Sequence, residues 1–504
     1  MITDELRFQI HQALSHFAPT AEQEAAIGVF GQFITDRSDH AAMVLRGSAG
    51  TGKTTLAGAM VRALSALGQK LVLLAPTGRA AKVFALNAGQ AAFTIHRRIY
   101  RQRVAGDLSA FNLNINRHRD TLFIVDEASM ISNQAIATGD STFGSGRLLD
   151  DLMAYVYSGT GCRLMLIGDA AQLPPVGESV SEALEARVLH RYVEHVYEAD
   201  LRQVLRQAQL SGILWNATMI RQLITHDQAT ALPRIHLAGF ADICVVPGDE
   251  LIEQLASSYA HAGIDGTIVI TRSNKRANVY NRGIRATVLD REDELCRGDQ
   301  LMVVKNNYFW TAQQAAGESP AVSVDGFPPP KSPHPATGSD TNSFLANGDR
   351  AVVQRVRNIH ELYGFRFATA RLTFPDYDDM ELEATVMLDT LTTEAPALTR
   401  EQQQQLYEAV MADYADVPQK GERLRLLRHD SHYNALQVKF AYAVTCHKAQ
   451  GGQWEHVYLD QGYMTDDMLT PDYIHWLYTA FTRATEKLFL VNWPRTQTEN
   501  SREQ

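Results

Sequence analysis

A glycine-rich stretch between an apolar run and a predicted helix is the feature that most constrains this chain. Residues 47–54 read GSAGTGKT and fit the pattern GxxxxGK[ST]. The run Ala42–Leu45 before them predicts a strand, and Thr54–Leu67 after them predicts a helix. Glycines at such a turn let backbone N–H groups face a phosphate, which the helix N-terminus also attracts. The sequence therefore predicts a phosphate-binding loop (P-loop) on a parallel α/β sheet.

The P-loop predicts a site for ATP and Mg²⁺. We expect the Lys53 amine at the β- and γ-phosphates and the Thr54 hydroxyl as a Mg²⁺ ligand. Upstream, Thr20 caps a predicted helix, and the Gln23 amide is suited to pair with N6 and N7 of adenine; a plain surface glutamine is the alternative. The predicted ATP-binding residues are Gln23, Gly47, Ser48, Ala49, Gly50, Thr51, Gly52, Lys53, Thr54 and Thr55.

Two further polar segments follow predicted strands. Asp126 and Glu127 close the apolar run Leu122–Val125, and Gln172 follows the run Arg163–Ile167. We expect Asp126 to bind Mg²⁺ and Glu127 to orient the attacking water. The Gln172 amide would sense the γ-phosphate or position water. A solvated strand end and a capped turn are the alternatives for the two segments taken singly.

Arginines far from the P-loop are candidates for a cation that reaches the γ-phosphate. Arg483 lies on a predicted helix near the C-terminus, and Arg206 is a second candidate, with Arg202 as its rival. An arginine supplied by another domain would couple hydrolysis to closure of a cleft between domains. A surface ion pair is the alternative for a lone arginine. Arg206 and Arg483 complete the predicted catalytic set, whose other members are Lys53, Asp126, Glu127 and Gln172.

Composition bounds the class of protein but not its partner. A chain of 504 residues exceeds one hydrophobic core, so we expect two to four domains. The formal charge of −10 gives no global basic field, although a single groove can still be basic. The four cysteines are scattered and form no CxxC pair. No apolar run approaches the roughly 20 residues that cross a bilayer, so we expect no membrane partner and a cytoplasmic protein.

The motifs also suggest how the chain is divided. A second α/β region begins near residue 190, with strands expected at Ile268–Ile270, Val457–Leu459 and Leu488–Val491. Between the first and the second of these strands, short apolar runs that each follow a Gly-Asp pair indicate a small β-barrel. The predicted organisation is a first α/β domain (1–189) with a β-hairpin insert (97–120), a second α/β domain (190–294 and 436–504), and a barrel (295–435) with a proline-rich loop (318–335) and a helical insertion (399–428).

The ordered set of motifs resembles superfamily 1 helicases, in the 5′→3′ branch of the RecD-like and Dda-like DNA helicases. The segments that carry the resemblance are Gln23, GSAGTGKTT (47–55), APTGRAA (75–81), Thr94-Ile95-His96, VDEASM (125–130), GDAAQLPPVG (168–177), LRQA (205–208), Asn347-Gly348-Asp349, TCHKAQG (445–451) and YTAFTRA (478–484). The resemblance spans about residues 15–495. It implies two RecA-like motor domains with ATP between them and single-stranded DNA across both.

The resemblance also implies which residues contact DNA. They are Pro76, Thr77, Thr94 and His96 from the first motor domain, and Thr445, His447, Lys448 and Gln450 from the second. Hydroxyl, imidazole and amide groups with one cation are suited to bind phosphates without reading sequence. In the family, an insert at the position of residues 97–120 is a pin that splits the duplex. A decoration without a mechanical role is the alternative, because no aromatic residue stands at the expected tip.

We therefore expect an ATP hydrolase coupled to DNA unwinding that moves 5′→3′ on single-stranded DNA and at junctions with duplex. One alternative is a nucleic-acid translocase that unwinds poorly, and another is an ATPase whose nucleotide state controls assembly with a protein. The proline-rich loop and the helical insertion exceed the minimal family pattern. A docking site for a protein partner and tolerated surface loops both stay open as explanations, and we expect a monomer.

Overall fold

The computed structural model describes residues 2–14, 17–38, 40–102, 110–134, 142–204, 210–225, 232–315 and 344–499. The chain divides into two compact units. The first unit comprises residues 1–100, 113–272 and 446–504, and the second comprises residues 101–112 and 273–445. Among the described residues, no helix combines the length and the apolar character required to cross a membrane.

The described helices and strands alternate along much of the chain. The helices are α1 (Ile2–Leu14), α2 (Ala21–Thr35), α3 (Lys53–Ala66), α4 (Gly78–Ala88), α5 (Ile95–Ile99), α6 (Leu148–Tyr157), α7 (Ala186–Leu189), α8 (Gly212–Thr225), α9 (Leu251–His261), α10 (Asn274–Gly283), α11 (Phe309–Ala315), α12 (Arg400–Asp413), α13 (Lys420–His429), α14 (Cys446–Ala449) and α15 (Pro471–Phe481). The strands are β1 (Ala41–Gly47), β2 (Lys70–Ala75), β3 (Ala92–Thr94), β4 (Tyr100–Gln102), β5 (Ala110–Leu113), β6 (Thr121–Val125), β7 (Thr142–Phe143), β8 (Arg163–Gly168), β9 (His195–Leu201), β10 (Ile235–His236), β11 (Ile243–Val246), β12 (Thr267–Thr271), β13 (Gln300–Val303), β14 (Arg350–Leu362), β15 (Phe365–Phe374), β16 (Met380–Met387), β17 (Leu436–Phe440), β18 (Ala443–Thr445), β19 (Trp454–Asp460), β20 (Ala484–Val491) and β21 (Thr498–Glu499).

The first unit contains a parallel sheet in the order β3-β2-β6-β8-β1-β9. Its central strands β6, β8 and β1 are buried along almost their whole length, as expected where helices cover a sheet on each side. Leu6, Phe30, Met60 and Phe84 from α1 to α4 pack in its core with strand residues. The predicted domain limit at residue 189 falls too early. β9 pairs along the whole of β1, so the first sheet continues to Leu201.

A second parallel sheet in the same unit has the order β11-β20-β19-β12. The predicted strands around Ile268, Val457 and Leu488 are all present, and each is longer than predicted. The three residues are fully or almost fully buried. The sheet therefore needs cover on both faces, which an alternating strand–helix chain provides.

The second unit is built around a closed barrel of β13 to β17. Its neighbouring strands are antiparallel, except that β16 and β17 run parallel. The predicted barrel limit at residue 435 falls too early, because it excludes β17 (Leu436–Phe440), the last strand of the barrel. The barrel, the parallel sheets and the hydrogen-bonded hairpin strands β4 and β5 confirm the predicted fold class.

The inserts differ in how they relate to the barrel unit. The predicted helical insertion (399–428) packs on the barrel, because α12 buries Leu406 and Val410 and α13 buries Leu427 against barrel residues. In the hairpin, the Phe111 ring lies 4.2 Å from that of Tyr308. Residues 103–109 of the predicted hairpin insert and the proline-rich loop (318–335) lie outside the described residues.

Candidate functional site

The P-loop turns between β1 and α3 by way of two glycines with positive φ. Gly50 and Gly52 have φ of 76° and 75°, a conformation that costs other residues free energy. A Cβ at Gly50 would also lie 3.2 Å from Leu214. The Lys53 amine donates to the Gly47 carbonyl at 3.0 Å, which places this cation at the mouth of the loop. The loop thus has the backbone conformation that its sequence predicts.

Gln23 connects the P-loop to the start of α2. Its amide nitrogen donates to the Thr51 carbonyl at 2.9 Å, and its amide oxygen accepts from the Thr20 N–H at 3.0 Å. The Thr20 hydroxyl in turn accepts from the Gln23 N–H, which completes a capping box. In this conformation the amide hydrogen-bonds to the P-loop and to the helix cap. Its contact with adenine stays a prediction.

The acidic pair at the end of β6 combines burial with an unusual backbone. Burial and then the neighbouring Glu127 raise the pKa of Asp126 to about 6, although Lys53 acts in the opposite direction. Glu127 has φ of 52°, in the left-handed region that a non-glycine residue seldom adopts. Strain of this kind is concentrated at functional sites.

Two buried oxygen atoms at this edge test whether the site fits a nucleotide with Mg²⁺. Glu127 Oε2 and Gln172 Oε1 have no hydrogen-bond partner among the residues that the structure describes. Buried acceptors of this kind are rare unless water, an ion or a ligand completes them. Thr54 and Asp126 are the residues that would hold Mg²⁺, since a hydroxyl and a carboxylate are oxygen ligands of the type this ion prefers. The donor set fits the ion.

Helix α15 connects to the P-loop through a buried tyrosine. The Tyr478 hydroxyl accepts from the Ala49 N–H at 3.1 Å and donates to Asp169 Oδ2 at 2.6 Å. Burial raises the pKa of Asp169, while Lys53 and this hydrogen bond lower it. One residue further along, the Thr479 hydroxyl accepts from the Leu173 N–H at 2.7 Å. The motif YTAFTRA therefore contacts both the P-loop and the motif GDAAQLPPVG.

The three arginine candidates fare differently. Arg483 is buried, and its guanidinium donates to the Thr479 carbonyl, the Gly452 carbonyl and the Thr482 hydroxyl at 3.0–3.2 Å. Arg206 lies outside the described residues, and its rival Arg202 is exposed. A different arginine reaches the P-loop: Arg221 on α8 hydrogen-bonds to the Ser48 hydroxyl. The structure thus adds a cation at the loop that no motif marks.

The predicted DNA-contacting residues of the first motor domain lie along one edge of its sheet. Ala75 and Thr94 are register partners at the carboxyl ends of β2 and β3. Thr77 and Thr94 each cap the following helix, accepting from the Ala80 and Arg97 N–H groups. Burial lowers the pKa of His96 to about 4, so this imidazole is neutral at pH 7. Any phosphate contact from it would be a hydrogen bond, not an ion pair.

The predicted residues of the second motor domain are spread over a short helix and its flanks. His447 and Lys448 lie on α14, and Thr445 ends β18 in the other unit. Gln450 is buried, and its amide donates to the Leu173 carbonyl at 2.7 Å. Its observed contact is therefore with the motif GDAAQLPPVG, and a role at DNA stays a prediction.

Segments TCHKAQG and APTGRAA approach each other closely within the first unit. Gly451 has φ of 73°, and a Cβ there would lie 3.1 Å from the Thr77 hydroxyl. Nearby, the Arg79 guanidinium stands over the Trp454 ring at 4.0 Å and donates to the Gln453 carbonyl. Both segments belong to the predicted DNA-binding set. The fold thus brings together motifs that are about 370 positions apart in the sequence.

Comparison with known proteins agrees with this arrangement of motifs. Residues 20–241 match the AAA domain family, and residues 440–491 match the UvrD-like helicase C-terminal domain family. The ATP-dependent RecD2 DNA helicase of Deinococcus radiodurans is 32% identical over 181 residues, which cover 35% of this chain and 21% of that protein. This chain is thus similar to a RecD2 DNA helicase over about a third of its length.

Other similar proteins span different portions of this chain. A probable conjugal transfer protein TraA of Sinorhizobium fredii is 29% identical over 199 residues, or 38% of this chain and 15% of that protein. The crystal structure of a Pif1 helicase from Bacteroides, in complex with ADP-AlF3 and ssDNA, covers 95% of this chain and 94% of its own, with 14% identity and a TM-score of 0.43. The alignments to the curated relatives thus cover about a fifth or less of each relative.

Sequence reasoning missed some residues that the structure places at the site. Tyr478 and Thr479 belong to a motif that was recognised, but only Arg483 in it received a role. A buried hydroxyl four or five positions before a predicted catalytic residue gives no sequence signal of its own. Arg221 lies in an ordinary amphipathic helix, so its contact with Ser48 becomes visible only in three dimensions.

Proposed function

We propose that this chain is an ATP- and Mg²⁺-dependent DNA helicase that moves 5′→3′ on single-stranded DNA and unwinds duplex. The observation that carries the proposal is the hydrogen-bonded connection from the Ala49 N–H through Tyr478 to Asp169. It joins the P-loop to a helix that precedes β20 of the second sheet. A phosphate on the P-loop would compete for the same N–H group, so nucleotide binding would alter this connection.

The residues at the P-loop divide the work of hydrolysis. Lys53 would hold the β- and γ-phosphates, and Glu127, whose Oε2 lacks a described partner, would orient and deprotonate water. Gln172 would report the presence of the γ-phosphate. Mg²⁺ held by Thr54 and Asp126 would offset the charge that develops on the phosphates. Arg206 and Arg483 stay predicted γ-phosphate cations, and Arg483 would first have to exchange its hydrogen bonds to backbone carbonyls.

The DNA-contacting set would couple hydrolysis to movement. Thr77 and His96 on one side and His447 and Lys448 on the other would bind backbone phosphates of a single strand. The close approach of Gly451 to Thr77 supports this proposal, because a change at one segment must displace the other. Alternating grip by the two groups would then move the strand by steps.

Steady-state ATP hydrolysis with and without single-stranded DNA tests the proposal. We expect a low basal rate that rises at least about tenfold with oligo-dT, and loss of both rates in Lys53→Ala. The full chain with matched RNA oligomers would show whether the strand must be DNA. Hydrolysis that is indifferent to every nucleic acid but rises with a protein partner would contradict a helicase and favour an assembly ATPase.

A further inference from the structure

Three potential metal ligands converge in the second sheet, and none of them is a predicted site residue. His261 is the last residue of α9, His456 lies on β19 and Glu486 lies on β20. One ligand atom from each of these side chains lies within 4.8 Å of the other two. The three side chains come from separate elements, so this convergence does not result from local sequence. All three belong to the first unit.

A chain of hydrogen bonds determines which nitrogen of His456 carries the proton. The Tyr458 hydroxyl donates to the Gln254 carbonyl at 2.7 Å, so its oxygen is free to accept from the Ser258 hydroxyl at 2.6 Å. Ser258 Oγ then accepts from His456 Nδ1 at 2.8 Å. This assignment gives each group in the chain a partner. Nδ1 of His456 is therefore protonated, and Nε2 presents a lone pair.

That lone pair is buried, and no described residue forms a hydrogen bond with it. His456 is only 4% exposed, and its Nε2 finds no hydrogen-bond partner within the described ranges. Most buried polar atoms are hydrogen-bonded, so a bare imidazole nitrogen needs an explanation. An imidazole whose other nitrogen donates to a fixed acceptor is the arrangement that metal-binding histidines adopt.

The other two side chains can adjust their positions. His261 and Glu486 are 65% and 47% exposed, and His261 Nε2 is 3.5 Å from Glu486 Oε1. Ligand atoms around tetrahedral zinc are about 3.4 Å apart, given metal–ligand bonds of about 2.0–2.1 Å. The His261 and His456 rings stack at 5.4 Å with an angle of 13°. Small rotations of the exposed pair would bring their ligand atoms toward His456 Nε2.

We propose that His261, His456 and Glu486 bind a divalent transition metal ion, with Zn²⁺ the expected ion. Two imidazoles and one carboxylate form a ligand set of the zinc type and leave a fourth position for water or another ligand. The ion would tie the end of α9 to β19 and β20, whose register pairs His456 with Lys487. The neighbouring Lys487 and Glu455 carry opposite charges, so together they add little net charge beside His456.

Binding of Zn²⁺ to the full chain, freed of affinity tags and treated with chelator, tests this site. We expect one ion per chain by calorimetry, and we expect Co²⁺ to give the strong visible absorption of a four-coordinate site. His261→Ala and Glu486→Gln change exposed side chains, so they should leave the fold intact and weaken binding at least about tenfold. His190→Ala and Glu455→Gln are the matched controls and should bind as the unmodified chain does.

A second variant addresses how His456 is held. Ser258→Ala removes the acceptor for Nδ1, so we expect metal affinity to fall by about 10–100-fold without loss of a ligand. Absence of stoichiometric binding, or binding that survives His261→Ala combined with Glu486→Gln, would overturn the proposal. The assay contains neither nucleotide nor DNA, so its result does not depend on the proposed helicase activity.

Discussion

At the scale of residues, the acidic pair shows how environment separates two neighbouring carboxylates. Asp126 is buried at the end of a strand, and Glu127 adopts a left-handed backbone conformation beside it. Burial makes the charged form of Asp126 costly, and the charge of Glu127 adds to that cost. Metal binding would repay part of this cost by supplying positive charge. The protonation state of Asp126 should therefore change over a pH range that can be measured.

We expect Mg²⁺-dependent nucleotide binding to weaken as the pH falls through about 6, because a protonated Asp126 is a poor metal ligand. The stability of the ligand-free protein should change in the opposite direction. A carboxyl whose folded-state pKa is raised destabilises the fold above that pKa, and the penalty disappears between about pH 6 and pH 4. Fluorescent ATP titrations from pH 5 to 8 and denaturant unfolding measure the two trends.

The variant Glu127→Gln provides the control for this prediction. It removes the negative charge that raises the pKa of Asp126, so the acid limb of nucleotide binding should move to lower pH. In the proposed mechanism Glu127 acts in hydrolysis and not in nucleotide binding, so we expect the comparison of binding to stay possible. An acid limb at the same pH in both proteins would show that another group controls it.

At the scale of elements, α15 is the helix through which the P-loop and the second sheet are joined. Its Tyr478 contacts the P-loop, and its Thr479 contacts the segment after β8. The same helix offers a buried tyrosine that does not touch the P-loop, since the Tyr473 hydroxyl donates to Gln461 Oε1 at 2.6 Å. Variants of these two tyrosines can therefore distinguish the stability of the helix from its proposed role in coupling.

We expect Tyr478→Phe to lower the stimulation of ATP hydrolysis by single-stranded DNA about tenfold, the value of one hydrogen bond of about 1.4 kcal/mol. Both variants should destabilise the protein by about 1–3 kcal/mol, because each loses a buried hydroxyl. Tyr473→Phe should leave the stimulation by DNA unchanged. Rates with and without oligo-dT, together with denaturant unfolding, distinguish the two variants. Equal loss of stimulation in both would assign the effect to helix packing.

The approach of Gly451 to Thr77 gives a second prediction for an element. Gly451→Ala should cost about 1–3 kcal/mol, because an alanine at φ of 73° is strained and its Cβ would lie 3.1 Å from the Thr77 hydroxyl. Single-stranded DNA affinity should fall with it. Gly421→Ala on α13 has nothing within 4 Å of the new Cβ and should change stability by under about 0.5 kcal/mol. Thermal unfolding and fluorescence anisotropy measure both effects.

At the scale of the whole molecule, local signals predicted more than long-range ones did. The P-loop, the strands that end at motifs and the barrel all follow from patterns within a few residues, and the structure contains them. The limit at residue 189 was wrong because pairing of β9 with β1 depends on a strand about 150 positions away. The contacts of Gln450 and Tyr478 with distant motifs could not be predicted for the same reason.

The hydrogen-bond partners of single arginine side chains could not be predicted from the sequence either. A buried arginine and a phosphate-binding arginine look alike in sequence, and only packing shows that Arg483 donates to backbone carbonyls. The reverse holds for Arg221, whose role depends on where α8 lies in the fold. Motifs therefore identify the segments of a site more reliably than they identify the atoms that act.

The most direct test of the central claim is strand separation on two matched DNA duplexes that differ only in the polarity of their single-stranded tail. With ATP and Mg²⁺, we expect the full chain to unwind the duplex with a 5′ tail and to leave the duplex with a 3′ tail intact. Lys53→Ala should unwind neither. Unwinding of only the 3′-tailed duplex would contradict the proposed direction. If neither duplex is unwound while DNA still stimulates ATP hydrolysis, the result would contradict a helicase and favour a translocase.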